Sequence, residues 1–165
     1  MSSYCPIMSV LAFILSPDRK QTLMVHRIAR GEARDENHGK YNGLGGHVER
    51  NEDLAHAIVR EIKEESALDV TEMTFRGSVN WTGFGRNGED WMGFIFLVTA
   101  FTGTPLSAND EGPLEWVPLA CIPSLPMWEG DRYFLPLVFD DDPRPFHAFL
   151  PYDNGHPVAF SYTRL

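Results

Sequence analysis

Three glutamates, Glu61, Glu64 and Glu65, stand at i, i+3 and i+4 in the run REIKEES. On a helix that spacing gathers them on one face. The helix should end just beyond them, where the macrodipole disfavours anions. Each like-charge pair costs ~0.2–0.5 kcal/mol and the dipole a comparable amount. A bound cation would offset both costs, and three hard oxygen donors on one ridge suit Mg²⁺ or Mn²⁺ better than Zn²⁺. A solvated acidic face has the same composition, so the flanking residues must decide between the two readings.

From Gly46 to Leu68 the chain reads GHVERNEDLAHAIVREIKEESAL. Gly46, Glu52, Arg60, Glu61, Ile62, Glu64, Glu65 and Leu68 fall in the spacing Gx5Ex7REUxEExGU, with U aliphatic, and in this the stretch resembles the signature of the Nudix family. Ala67 departs from it, standing where the signature has its second glycine. That position closes the helix, where a left-handed residue is often wanted, and Ala adopts that conformation at a cost of about 1 kcal/mol or more. The departure removes no charged group.

The resemblance implies an α/β fold, the Nudix-type α/β/α sandwich on a mixed β-sheet, and a metal-dependent hydrolase of diphosphate linkages. It also implies that Mg²⁺ (or Mn²⁺) is held by Glu61, Glu64 and Glu65 together with the carbonyl of Gly46. Glu65 ranks first as the essential ligand. Glu61 is a second ligand that also orients or deprotonates the attacking water, and Glu64 ranks lower because its helical direction is turned away. Glu111, in a later loop, is implied as a further metal-binding or base glutamate. Glu52 and Arg60 are implied as a supporting pair that fixes the loop against the helix.

Similarity to one branch, the MutT-type oxidised purine nucleoside triphosphatases, extends over most of the chain on looser motifs. These are Asn42-Gly43-Leu44-Gly45-Gly46, Asp110-Glu111, and Met127-Trp128 ahead of Asp131 and Tyr133. It implies that Asn42 and Asp131 hydrogen-bond a purine base while Trp128 and Trp81 stack on it. The substrate would be a nucleotide such as 8-oxo-dGTP, cleaved to monophosphate and pyrophosphate. Gly130 departs again, at a place where relatives carry a second aspartate. Other Nudix substrates (ADP-ribose, a dinucleoside polyphosphate, a capped RNA 5′ end) remain alternatives. A catalytically silent, nucleotide-sensing domain is a third reading, against which the complete set of Arg60, Glu61, Glu64 and Glu65 speaks.

A single domain over residues 1–165 is expected from the length. With 43% hydrophobic and 22% charged residues the chain reads as globular, and a net charge of −9 argues against gripping duplex nucleic acid. Two cysteines, Cys5 and Cys121, make no disulfide framework, so a reducing cytoplasm is the expected compartment. The apolar run from Met8 to Leu15 is too short for a membrane span. The expected partner is a small nucleotide; monomer and dimer both stay open.

Several elements must position these residues. Ile7–Leu15 reads as a strand buried on both faces, followed across a Ser16-Pro17-Asp18 turn by a strand from Thr22 to Ile28. Ala29 to Lys40 has the composition of a loop. Asn51 is the expected N-cap of the acidic helix, with Glu52 and Asp53 in its first turn. Leu54, Ile58 and Ile62, flanked by Ala55 and Val59, form its buried stripe. Met73–Trp81 and Trp91–Phe101 read as strands on either side of an Asn87-Gly88 turn, the second of them central. A short strand at Glu115–Pro118, a helix over Glu129–Phe139 and a hairpin of Phe146–Tyr152 with Val158–Thr163 complete the expectation.

Overall fold

Strand β1 (Ile7–Leu15) sends alternate side chains into two cores, which its run of large apolar residues permits. Val10, Ala12 and Ile14 pack with Ile58 and Ile62 of helix α1 (Leu54–Ser66), whereas Phe13 packs with Phe134 and Val138 of helix α2 (Asp131–Phe139). One helix therefore covers each face of the sheet, giving the α/β/α sandwich. The computed structural model describes residues 3–28, 37–85 and 87–165; residues 29–36, the larger part of the expected Ala29–Lys40 loop, and Arg86 lie outside this description.

The remaining strands are β2 (Gln21–His26), β3 (Tyr41–Asn42), β4 (Leu44–His47), β5 (Asp69–Phe84), β6 (Glu89–Thr102), β7 (Leu114–Pro118), β8 (Phe146–Asp153), β9 (His156–Pro157) and β10 (Ser161–Arg164). Among the described residues the order is β10-β8-β5-β6-β1-β2-β3, with β4 added to β1, β7 to β2 and β9 to β8. The β1–β6 and β5–β8 pairs are parallel and the others antiparallel, so the sheet is mixed, with β6 central.

Several boundaries differ from expectation, for local reasons. Asn51 is not the N-cap. Its φ of 68° places it in a left-handed turn, which Asn tolerates, and Asp53 caps α1 by accepting from the N–H groups of Ala55 (2.9 Å) and His56 (3.1 Å). Ala57, rather than Ala55 or Val59, completes the buried stripe, because β4 lies along that flank of the helix. Strands β5 and β6 run well beyond the expected ends, β2 stops at His26, α2 begins at Asp131, and the return of the last hairpin is split into β9 and β10.

Arg76 anchors α2. Its buried guanidinium donates to the carbonyls of Val138 (2.9 Å), Leu137 (3.1 Å), Asp140 (3.1 Å) and Asp142 (2.9 Å), and to the Asp140 carboxylate (2.9 Å). These are the exposed acceptors of a helix C-terminus, where a cation is also favoured by the dipole. The opposite end of α2, which carries Asp131, is tied by Arg132, which donates to the Pro123 and Leu125 carbonyls, and by the Asp131 N–H on the Trp128 carbonyl (3.1 Å).

Candidate active site

Strand β4 lies beside β1 in the register Val10↔Gly46 and Leu11↔Gly45, with α1 packed over it. That arrangement brings the helix acids to the glycines. Gly45 N–H donates to Glu65 Oε2 at 2.9 Å. A Cβ at position 46 would lie 2.5 Å from Glu61 Oε1, so glycine there is what lets the Glu61 carboxylate reach the strand.

Arg60 grips Glu52 through two bonds of 2.8 and 3.0 Å, and also donates to Glu61 Oε1 (2.8 Å) and the His47 carbonyl (3.2 Å). Its guanidinium is held well above the usual value, first by the Glu52 bond. Glu64 lies outside the group: it is mostly exposed and meets Arg60 only at 3.4 Å. Glu111 is reached by Arg27, whose Nη1 donates to Glu111 Oε2 at 2.7 Å. Arg27 escaped the sequence reading because it closes an apolar strand and finds its acid 84 residues away.

Burial pushes the Glu65 carboxyl up to about 8. The negative charges of Glu111 and Glu61 add to the rise, and the Gly45 N–H and Arg27 oppose it. Clustered, partly desolvated carboxylates of this kind favour either a proton or a cation. Among the described residues no three Asp, Glu, His or Cys side chains converge as a ready metal cage. Glu61 rests on Gly46 and Glu65 on Gly45, adjacent positions of β4, and arginines occupy part of Glu61 and Glu111. The donors are all hard oxygens, and a chemical fit to a Mg²⁺-like ion follows from them.

A cavity of about 530 Å³ joins this region to a second one. At one end it is lined by Gly45, Gly46, Arg27 and Glu111, and at the other by Asn42, Trp81, Phe84, Trp128 and Asp131. The second end is assembled from distant segments. Tyr41 N–H donates to the Pro126 carbonyl (2.8 Å), which sets Asn42 near Trp128. Trp128 Nε1 donates to Asn37 Oδ1 (3.1 Å), Lys40 Nζ lies 3.8 Å from the ring centre, and Phe84 meets the ring edge-on at 5.3 Å. Trp81 is only 9% exposed; it serves the core and forms part of the cavity wall. Trp91, on the same wall, keeps its indole N–H buried with no hydrogen-bond partner among the described residues. Burial raises the Asp131 carboxyl to about 7, against the pull of Lys40 and Arg132.

A mixed sheet between two helices, with the acids of one helix set against a glycine strand at the mouth of a cavity, defines a Nudix-type hydrolase. The chain belongs to the Nudix family: the NUDIX domain matches residues 6–138. It is 32% identical over 124 residues to the oxidized purine nucleoside triphosphate hydrolase of Danio rerio, covering 75% of this chain and 76% of that one. It is 30% identical over 95 residues to the uncharacterized Nudix hydrolase YvcI of Bacillus subtilis, where the match spans 55% of this chain and 59% of the relative. The mutator MutT protein of Bacillus halodurans superposes with a TM-score of 0.78 at 22% identity, over 94% of this chain and 97% of that one, a likeness of fold. Nudix hydrolases generally use divalent metal ions. No helix among the described residues is long and apolar enough to cross a membrane.

Proposed function

We propose that this hydrolase cleaves oxidised purine nucleoside triphosphates, 8-oxo-dGTP foremost, to nucleoside monophosphate and pyrophosphate in a Mg²⁺- or Mn²⁺-dependent reaction. The observation that carries this reading is that one cavity is lined at one end by Glu111 and by the Gly45-Gly46 strand against which Glu65 and Glu61 rest, and at the other by aromatic rings with a single buried carboxyl, Asp131. The Danio rerio relative supports the same substrate class.

Glu65 and Glu61 would hold the ion, with Glu111 as a further ligand and the Gly46 carbonyl available beside Glu61. When bound, the ion supplies charge neutralisation for the phosphates and a more acidic water. The chain's own residues do the rest. Gly45 N–H orients the Glu65 carboxylate, Arg60 and Arg27 steer Glu61 and Glu111, and Glu61 or Glu111 takes the proton from the attacking water. At the other end Asp131, once ionised above about pH 7, accepts from N1–H and the exocyclic amino group of a guanine-type base, an edge that adenine lacks. Asn42 donates toward O6, and Trp128 with Trp81 encloses the ring.

Turnover with Mg²⁺ of 8-oxo-dGTP, dGTP, 2-oxo-dATP, ADP-ribose and diadenosine polyphosphates tests this. The expected result is the highest kcat/KM for 8-oxo-dGTP, by about tenfold or more over 2-oxo-dATP, with pyrophosphate as co-product. A clear preference for ADP-ribose would overturn the substrate and leave the family intact.

A further inference from the structure

Gly130 has no backbone reason to be glycine. At φ −67° and ψ −25° it is an ordinary right-handed residue that any side chain could occupy. It is also the N-cap of α2, where Asp, Asn or Ser would satisfy a helix N–H, and it gives no such bond. Space is what excludes a side chain. A Cβ here would lie 2.0 Å from Tyr152 Oη, 3.0 Å from its Cζ and 2.7 Å from Leu150 Cδ2.

Tyr152 cannot easily move away, because it is 8% exposed, belongs to the core and meets the Phe84 ring edge-on at 5.0 Å. Its hydroxyl rests on the Gly130 backbone N–H beside Asp131, and burial, then the nearby Asp131 charge, hold the phenol well above its usual range. The group next to Asp131 therefore keeps its proton at every working pH. Two adjacent carboxyls would behave differently: they share one proton and can present either a donor or an acceptor.

We propose that Tyr152 determines base specificity at the aromatic end of this cavity: by filling the space that a side chain at position 130 would need, it leaves that end with one carboxyl group, Asp131, in place of a pair that could share a proton. This rests on the reading that Asp131 faces the base. Gly130 and Tyr152 then act as a unit, and exchanging both should widen the range of bases accepted.

The test compares wild type, Gly130→Asp, Tyr152→Phe and the double variant. Thermal melts are expected to show Gly130→Asp several degrees below wild type, with Tyr152→Phe, which removes the 2.0 Å contact but leaves those of Leu150 Cδ2 and the ring, restoring part of the loss in the double. The kcat/KM ratio for 8-oxo-dGTP over 2-oxo-dATP should stay near the wild-type value in Tyr152→Phe and fall at least tenfold in the double. Calorimetric binding of 8-oxo-dGMP and 2-oxo-dAMP to the same four proteins reads that selectivity without turnover. Wild type that binds 8-oxo-dGMP selectively but hydrolyses neither triphosphate would defeat the proposed hydrolysis and leave this assignment to the binding ratios. A Gly130→Asp protein that melts with wild type, a double that folds with unchanged selectivity, or wild type that binds neither monophosphate would overturn it.

Discussion

Glu65, behind the glycine end of the cavity, and Asp131, at its aromatic end, are raised by the same first cause and differ in the second. Glu65 is lifted to about 8 by burial, and its neighbours Glu111 and Glu61 push it further. Asp131 is lifted to about 7 by burial against the pull of two cations, Lys40 and Arg132. The helix end therefore carries more negative charge than Arg27 and Arg60 offset. The aromatic end already has charge compensation, and among the described residues the Asp131 carboxyl has no hydrogen-bond partner, which an uncharged donor edge can supply. A metal suits the first and a base the second, so neutralising substitutions at the two ends should fail in different ways.

The largest contrast is expected from Glu65→Gln. Loss of a group that organises developing charge should lower kcat by roughly 10³-fold. In the metal-free protein the same change should stabilise, with a definite pH dependence. The wild-type carboxyl has a folded value of about 8 against 4.5 ordinarily, so the native state binds the extra proton. Wild-type stability therefore falls as pH rises from 4.5 to 8 and is level beyond. The advantage of Gln is absent near pH 4 and complete above pH 8. Mg²⁺ should reverse the order by stabilising wild type alone. Melts across pH with and without Mg²⁺ check this, and a variant less stable than wild type in metal-free buffer at pH 8 would break the comparison.

Asp131→Asn should act on recognition. Asn presents a donor toward the donor edge of guanine, and losing a charge-assisted hydrogen bond of about 1.5–3 kcal/mol corresponds to roughly 10- to 10²-fold in kcat/KM for 8-oxo-dGTP. The sign of its stability effect follows the same linkage over a lower window. The folded value is about 7 against 3.8, so the gain from Asn opens above pH 3.8 and is complete by about pH 7. Unlike Glu65→Gln, it should survive added Mg²⁺. Loss of the Mg²⁺-induced rise in melting temperature in Asp131→Asn would mean that the two ends are not separable.

Arg60→Ala sharpens the account of the charged end. Arg60 contacts the supporting Glu52 and also Glu61, so removing it exposes two acids to each other. The melting temperature should fall by several degrees, and Mg²⁺ should recover part of the loss by replacing the missing cation at Glu61. A normal melt combined with complete loss of turnover would instead place Arg60 on the substrate.

The helix end was legible in the sequence because its spacing is local: one helix carries Glu61 and Glu65, and its periodicity fixes their direction. What stayed hidden there came from outside the helix. Arg27 and Glu111 meet only through β2 and the loop before β7, and Asp53 displaced Asn51 as the cap because of a left-handed turn that composition does not specify. At the aromatic end, family resemblance supplied Asn42, Trp128 and Asp131, but no local pattern joins them. The tie from Tyr41 to Pro126 and the anchoring of α2 by Arg76 are long-range contacts. Gly130 could be noticed in the sequence, yet its reason, the Tyr152 hydroxyl, arrives from β8.

The smallest effect is expected where the signature is broken. Ala67 does take the left-handed conformation, φ 63° and ψ 9°, and closes α1 with its N–H on the Lys63 carbonyl at 3.0 Å. Lys63 Nζ also reaches the Ala67 carbonyl (3.2 Å) and Asp69 (2.8 Å), so a cation helps to hold the exit that glycine would adopt unaided. Relief of the Cβ clash is worth about 1–2 kcal/mol, but glycine also loosens the unfolded chain by about 0.4–1 kcal/mol. Ala67→Gly should therefore gain about 0.5–1 kcal/mol net, read as a higher denaturant midpoint at unchanged slope. Glu61 and Glu65 lie six and two residues before the exit, but they are held by Gly46 and Gly45 on β4 and not by the exit, so kcat and the Mg²⁺ dependence should stay within about twofold. A destabilised variant, or one with altered Mg²⁺ dependence, would show that the alanine exit sets the carboxylate geometry and is more than a tolerated strain.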